Sequence, residues 1–154
     1  MEYQVRDARI TDAERITALL EAAAATRGVS RGGPLDATDL LRQLVYLPNA
    51  VVLVADARRR VVGAAVLALR PSVAQGGMVG SVDALAVDPE YESAGVADSL
   101  LEEVLRSARN KGCVAVEADG PEDAAQRARW EGHGFTGAGS RIVRGLAPAG
   151  AARH

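Results

Sequence analysis

The stretch that most constrains this chain runs from Val82 to Lys111. Val82-Asp83-Ala84-Leu85-Ala86-Val87 reads as an apolar strand, and Asp88-Pro89 ends it, because a residue before proline avoids the helical region. A short turn follows. Val96, Leu100, Val104 and Ala108 then recur at helical spacing, and Gly112 suits the helix C-terminus. A strand that turns directly into a long helix aims consecutive backbone N–H groups out of the helix start. Those donors and the helix dipole favour a bound phosphate. Gly95 and Ala97 carry little or no side chain to keep a diphosphate from the backbone. The turn is not a Walker loop, since no Gly-Lys-Ser/Thr follows, and it lacks the second glycine of a dinucleotide fingerprint.

Before this unit, Tyr3, Val5 and Ala8 predict a short first strand. Thr11 with Glu14 predicts a capping box, opening a helix that carries Ile16, Leu19, Leu20 and Ala23. Gly28 and Gly32-Gly33-Pro34 predict a loop. Asp36 then caps a second helix bearing Leu40, Leu41, Leu44 and Val45. Ala50 to Ala55 and Val61 to Leu69 predict a hairpin turning at Asp56 to Arg59. Pro71 to Gly77 form a loop, and Met78 to Val87 the next strand. After the long helix come a strand over Cys113 to Glu117, a helix opening near Pro121 and running over Glu122 to Glu131, and a last strand or pair over Phe135 to Leu146. The predicted fold is a mixed α/β (α+β) single domain over residues 1–146. It has a central, mostly antiparallel sheet in the order β-α-α-β-β-β-α-β-α-β, and residues 147–154 form a disordered tail.

At 154 residues one domain with a self-sufficient core is expected. Aromatic residues are 3%, so Ala, Val and Leu must fill that core. The net charge of −2 and the lack of a basic stripe argue against a nucleic acid or membrane-surface partner. Arg58-Arg59-Arg60 reads as a solvated turn. No apolar run is long enough for a membrane span, and the start lacks a signal-peptide pattern, so the reading is cytoplasmic. Cys113 is the one cysteine and reads as a small core residue. No cluster has metal-ligand spacing.

Glu92-Ser93-Ala94-Gly95-Val96-Ala97 after an apolar-Ala-Val-Asp-Pro strand end, followed downstream by Trp130-Glu131-Gly132-His133-Gly134-Phe135, resembles the GNAT N-acetyltransferase superfamily. The first run stands in the place of Arg/Gln-x-x-Gly-x-Gly/Ala and the second in that of Tyr-Glu-x-x-Gly-Phe. The element order matches over nearly the whole chain. The resemblance implies an acetyl-CoA-dependent N-acetyltransferase acting on a small-molecule or peptide amine. The diphosphate of acetyl-CoA would lie on Ser93 to Ala97. Its pantetheine arm would add to the strand edge at Leu85, Ala86 and Val87, with an N–H near Val87 polarising the thioester carbonyl. The amine would attack directly, without an acyl-enzyme. A homodimer through the C-terminal strands is common in similar proteins.

The chain departs from the pattern at Glu92, where Arg or Gln is usual, at Ala94, where a basic residue is frequent, and at Trp130, where Tyr is usual. Arg127 and Arg129 are candidates to compensate the first two. An indole N–H donates but is no acid, so Trp130 either packs against the pantetheine arm or is a plain core aromatic. Asp83 is the first candidate base, expected half-buried on one face with Ser81, Leu85 and Val87; a structural carboxylate is the competing reading. Glu117 and Asp119 come second, and His133 reads as a loop residue. Arg27, Arg31, Asp36 and Tyr46 are ambiguous acceptor contacts. The departures also motivate a second reading, a weakly active or inactive GNAT-fold module that binds acyl-CoA or a partner.

Overall fold

The computed structural model describes residues 2–26, 36–120, 124–137 and 144. In chain order these form β1 (Gln4–Asp7), a 3-10 turn (Ile10–Asp12), α1 (Ala13–Thr26), α2 (Ala37–Leu44), β2 (Ala50–Ala57), β3 (Arg60–Ser72), β4 (Gly77–Val87), a second 3-10 turn (Pro89–Ala94), α3 (Val96–Asn110), β5 (Ala115–Ala118) and α4 (Ala124–Gly132). The expected order is met through α4. The expected last strand begins at Phe135, but 135–137 are not strand, and 138–143 and 145–146 lie outside the described residues, as do the tail, the 28–34 loop and the Pro121 helix start. The homodimer expectation therefore falls largely on residues that are not described.

The described sheet has five strands in the order β1-β2-β3-β4-β5, antiparallel except for the parallel β4–β5 pair. Alternation along the strands divides the core. Leu53, Ala65, Leu67 and Val82 meet Val96, Leu100 and Val104 of α3 on one face. Val52, Val54, Ala64 and Val66 meet Ile16, Leu19 and Leu41 of α1 and α2 on the other. Because β2 and β3 are covered on both faces, they read as continuous apolar runs. Each fully buried Val or Leu contributes about 1.5–3 kcal/mol of transfer free energy.

Several local expectations change. The Thr11–Glu14 capping box is not formed. Instead the Arg9 N–H donates to Asp12 Oδ2 at 2.7 Å, and the 3-10 turn feeds α1. Asp12 is preferred because Arg6 clamps the same carboxylate, with Nη1 at 2.8 Å and Nη2 at 3.2 Å. The hairpin strands run on until only Arg58 and Arg59 remain between them, both at positive φ (50° and 73°). β3 continues through Pro71 to Ser72. Pairing with β2 ends at Ala68, so the N–H that Pro71 lacks has no strand to serve on that side. β5 begins at Ala115, not Cys113. The Cys113 N–H instead closes the end of α3 on the Ala108 carbonyl, with Gly112 left-handed at φ 80° as its cap requires.

No helix among the described residues is long and apolar enough to cross a membrane.

Candidate active site

The parallel β4–β5 ladder covers only Val79 to Val82 opposite Ala115 to Ala118. It ends where β4 carries a β-bulge. Leu67 faces Val82 and Val66 faces Ala84, which leaves Asp83 as the extra residue. Beyond the bulge β4 keeps its β3 partner, but among the described residues nothing pairs with its other edge. The direction of the free groups follows from alternation. The Asp88 N–H donates to the Val62 carbonyl at 2.8 Å, toward β3. In an antiparallel ladder the hydrogen-bonded and open residues alternate. Ala86 therefore also faces β3, while the N–H and C=O groups of Leu85 and Val87 face the unpaired edge.

The turn continues this row of donors. Asp88 Oδ1 accepts the Glu90 N–H at 3.0 Å, and the Asp88 carbonyl accepts the Tyr91 N–H, which sets the 3-10 turn over Pro89–Ala94. Gly95 then adopts φ 80°, ψ 15°, a left-handed geometry that L side chains resist. The first bond that α3 draws from this glycine is Ser99 N–H to Gly95 C=O, so the N–H groups of Val96, Ala97 and Asp98 have no acceptor within the helix. Tyr3 and Ser99 hydroxyls lie 2.7 Å apart and tie β1's approach to the first turn of α3. Gly95 is thus demanded by its backbone angle. Ala97 is buried, so its small size serves packing and not ligand clearance. Glu92 and Ser93 are exposed, while Ala94 and Val96 pack on the core.

Asp83 is exposed, not half-buried. The bulge turns it away from Leu85 and Val87, which pack toward α3, and puts it beside Ala84 on the α2 side. There it lines a cleft of about 260 Å³ with Leu20, Leu40, Leu41, Leu44 and Val66. Trp130 packs on the α3-side core and meets Phe135 edge-to-face at 4.9 Å between ring centroids. His133 is no free loop residue: its Nε2 is 2.9 Å from Asp98 Oδ1 in the first turn of α3. Arg129 Nε is 3.7 Å from the same oxygen, so the candidate arginine Arg129 stands at the α3 N-terminus, paired with Asp98. Glu117 is bridged to Arg70, and Asp119 lies just past β5. Asp36 caps α2 by accepting the Thr38 N–H at 2.8 Å, Tyr46 is exposed, and Arg27 and Arg31 lie outside the described residues. Burial pushes the Cys113 thiol up, which leaves it protonated and a poor nucleophile. Among the described residues no group of three or more metal-ligating side chains converges.

One group escaped the sequence reading. Asp88 is buried and receives Arg15 Nη2 at 2.8 Å and Arg60 Nη2 at 3.3 Å. Arg15 and Asp88 are 73 positions apart, and no local spacing signals such a pair.

Comparison with known proteins bears on the family and the fold. The profile of the acetyltransferase (GNAT) family matches residues 16–135, more than half of the chain. Glucosamine 6-phosphate N-acetyltransferase of Trypanosoma brucei brucei is 38% identical over 64 residues. That match spans 41% of this chain and 44% of the relative, less than half the length of either. Among solved structures, a transcriptional regulator from Bacillus halodurans superposes with a TM-score of 0.80 at 15% identity, covering 94% of this chain and 100% of its own. An acetyltransferase from Trypanosoma brucei gives 0.72 at 23% identity, with 94% and 100% covered. At such identities these structures share the fold alone, and one fold serves many activities.

Proposed function

The chain belongs to the GNAT acetyltransferase family, and from that premise we propose that it is an acetyl-CoA-dependent N-acetyltransferase acting on a small-molecule amine. The observation that carries the reading is the unpaired β4 edge at Leu85 and Val87, running straight into the free N–H groups at the start of α3 through left-handed Gly95. An edge strand captures an extended amide-bearing chain by main-chain hydrogen bonds. A helix start captures phosphate. Acetyl-CoA carries both groups in one molecule. The relative's printed activity supports a small-molecule amine acceptor.

The roles follow. Leu85 and Val87 hold the pantetheine arm, with Ala86 paired to β3 between them, and Ser93, Ala94, Gly95, Val96 and Ala97 receive the diphosphate, with Glu92 at the rim. Of the two open-edge N–H groups, Val87 lies toward the diphosphate and Leu85 toward Asp83, so the Leu85 N–H is the donor placed to stabilise the oxyanion that develops on the thioester. The amine nitrogen attacks the acetyl carbon, the C–S bond breaks, the sulfur leaves as thiolate, and the proton lost by nitrogen passes to Asp83 or to water. A thiolate leaves readily, with a thiol pKa of about 8.5, so an acid at Trp130 is not required. Trp130 lines the arm. Proximity of the two bound substrates supplies most of the rate. The domain occupies residues 1–146.

The test follows thiol release from acetyl-CoA across a panel of amines, beside calorimetry with acetyl-CoA alone. Binding with amine-dependent release is the expected result. Glu92 and Trp130 favour a second reading, an acyl-CoA-binding module, and binding without release for any amine would establish it instead.

A further inference from the structure

The cleft beside the bulge carries information about the acceptor. Leu20 from α1, Leu40, Leu41 and Leu44 from α2, and Val66 from β3 line it, with two alanines. Asp83 supplies the one charged side chain among the described lining residues. The two helices that wall the cleft contain one arginine each over their described lengths, and both are engaged. Arg15 donates to Asp88 Oδ2 and to the Val61 carbonyl, at 2.8 and 2.9 Å. Arg42 is held by Asp39 at 2.7 Å and by Glu14 at 3.4 Å.

We infer that the acceptor is a small cationic amine on an apolar body, aliphatic or single-ring, and not a phosphorylated amino sugar. This rests on the proposed acetyl transfer and narrows its acceptor. An ammonium placed near Asp83 sits beside the point where the unpaired β4 edge begins, while its apolar body covers the leucines. The apolar contacts supply affinity and the carboxylate supplies orientation, which is the usual division of labour in a small-molecule site. The volume of about 260 Å³ suits a small ligand. A phosphate in the same cleft would lose its hydration against five aliphatic side chains and would face the Asp83 carboxylate with no free arginine from α1 or α2 to neutralise it.

Two measurements on the full chain test this. Calorimetry first establishes whether acetyl-CoA binds. With acetyl-CoA bound, 2-phenylethylamine, hexylamine, glucosamine and glucosamine 6-phosphate are compared as acceptors. Amide chemical shifts of Ala84 and Leu41 are followed on titration with 2-phenylethylamine and with its neutral analogue 2-phenylethanol. The expected result is a kcat/KM for the apolar amines roughly tenfold or more above that for glucosamine 6-phosphate. The amine should also shift Ala84 at lower concentration than the alcohol, with the difference abolished in Asp83→Asn. Leu40→Arg, a change at a partly exposed position, should weaken the apolar amines and improve the phosphorylated sugar. If acetyl-CoA binds but glucosamine 6-phosphate is the better acceptor, or no apolar amine binds or reacts, the inference is overturned and the transfer reading stands apart from it. If acetyl-CoA does not bind, the transfer reading fails and the inference falls with it.

Discussion

The guanidinium of Arg15 on α1 donates to the buried carboxylate of Asp88 at 2.8 Å, joining α1 to the turn that follows β4. The same carboxylate receives Arg60 from β3 and the N–H of Glu90. One side chain therefore sets the position of the turn relative to two elements, α1 and β3. Asp88→Ala leaves Arg15 without its partner and the Glu90 N–H without its cap. A loss of about 2–4 kcal/mol is expected in urea unfolding. Asp88→Asn retains a capping oxygen and should lose roughly half as much. The KM for acetyl-CoA should rise more in the alanine variant, because the turn, and with it the start of α3, is less well held.

Gly63 lies directly under the first residue of α3. A Cβ built there would stand 2.8 Å from Val96 Cγ1 and 3.1 Å from Leu100 Cδ1. Val96 is fully buried and β-branched, so it has little freedom to withdraw. Gly63→Ala should cost about 1–3 kcal/mol by overpacking. It should also weaken acetyl-CoA binding, since the strain falls on the residue whose N–H opens the helix. Gly132→Ala, where nothing lies within 4 Å, is the control and should neither destabilise the fold nor weaken acetyl-CoA binding.

How much of this was legible in the sequence depends on the range of the interaction. Leu100, Val104 and Ala108 were assigned to the core from spacing alone, because a helix face is a local property. Gly95 stands out in the sequence as a glycine in the turn, and its left-handed φ is a stronger reason for glycine there than clearance for a ligand. The bulge at Asp83 was not legible. It arises from the pairing of β4 with β3, and no glycine or proline marks it. Parity along a regular strand therefore put Asp83 on the wrong face and buried it too deeply. Asp88 was read only as the residue before a proline, since its arginine partners come from α1 and β3. The Asp98–His133 contact, 35 positions apart, was hidden for the same reason.

The β2–β3 hairpin turns on two arginines, at φ 50° and 73°. A two-residue turn with both central residues left-handed favours Asn-Gly. Each L residue held there costs about 1 kcal/mol. Replacing Arg58 by Asn and Arg59 by Gly together should raise stability by about 1 kcal/mol without altering kcat, as thermal unfolding and the thiol-release assay would show. A loss of stability would mean that the Arg58 contact to Glu2 at 3.9 Å matters more than the backbone angle.

Acid sensitivity should concentrate at Asp12. Burial alone would raise its carboxyl, but the bonds from Arg6 and from the Arg9 N–H outweigh it and hold the group below the usual carboxylate range. A depressed folded-state pKa means that the unfolded chain binds the proton more readily. The stabilisation is complete above the unfolded value of about 3.9 and is lost as pH falls through the folded one. Unfolding free energy measured from pH 7 down to pH 2 should therefore fall more steeply in the wild type than in Asp12→Asn. The variant should be less stable at pH 7, and the two should converge at the acid end. Parallel curves would remove Asp12 from the account.

Glu92 is exposed in the turn that leads to Gly95, where the proposed diphosphate would lie. At a few ångströms, near a surface with an effective dielectric constant of about 20, a like charge costs on the order of 1–3 kcal/mol before salt screening. Arg129 and His133 do not cancel it, because both are turned to Asp98 on α3. Glu92→Arg should therefore tighten acetyl-CoA binding by roughly tenfold at low ionic strength and by much less at about 1 M salt. Acetyl-pantetheine, which has the thioester arm but no phosphate, separates charge from shape. Its affinity should be the same in both proteins. An equal gain for acetyl-pantetheine would show that Glu92 acts through the turn's conformation and not through repulsion of the diphosphate.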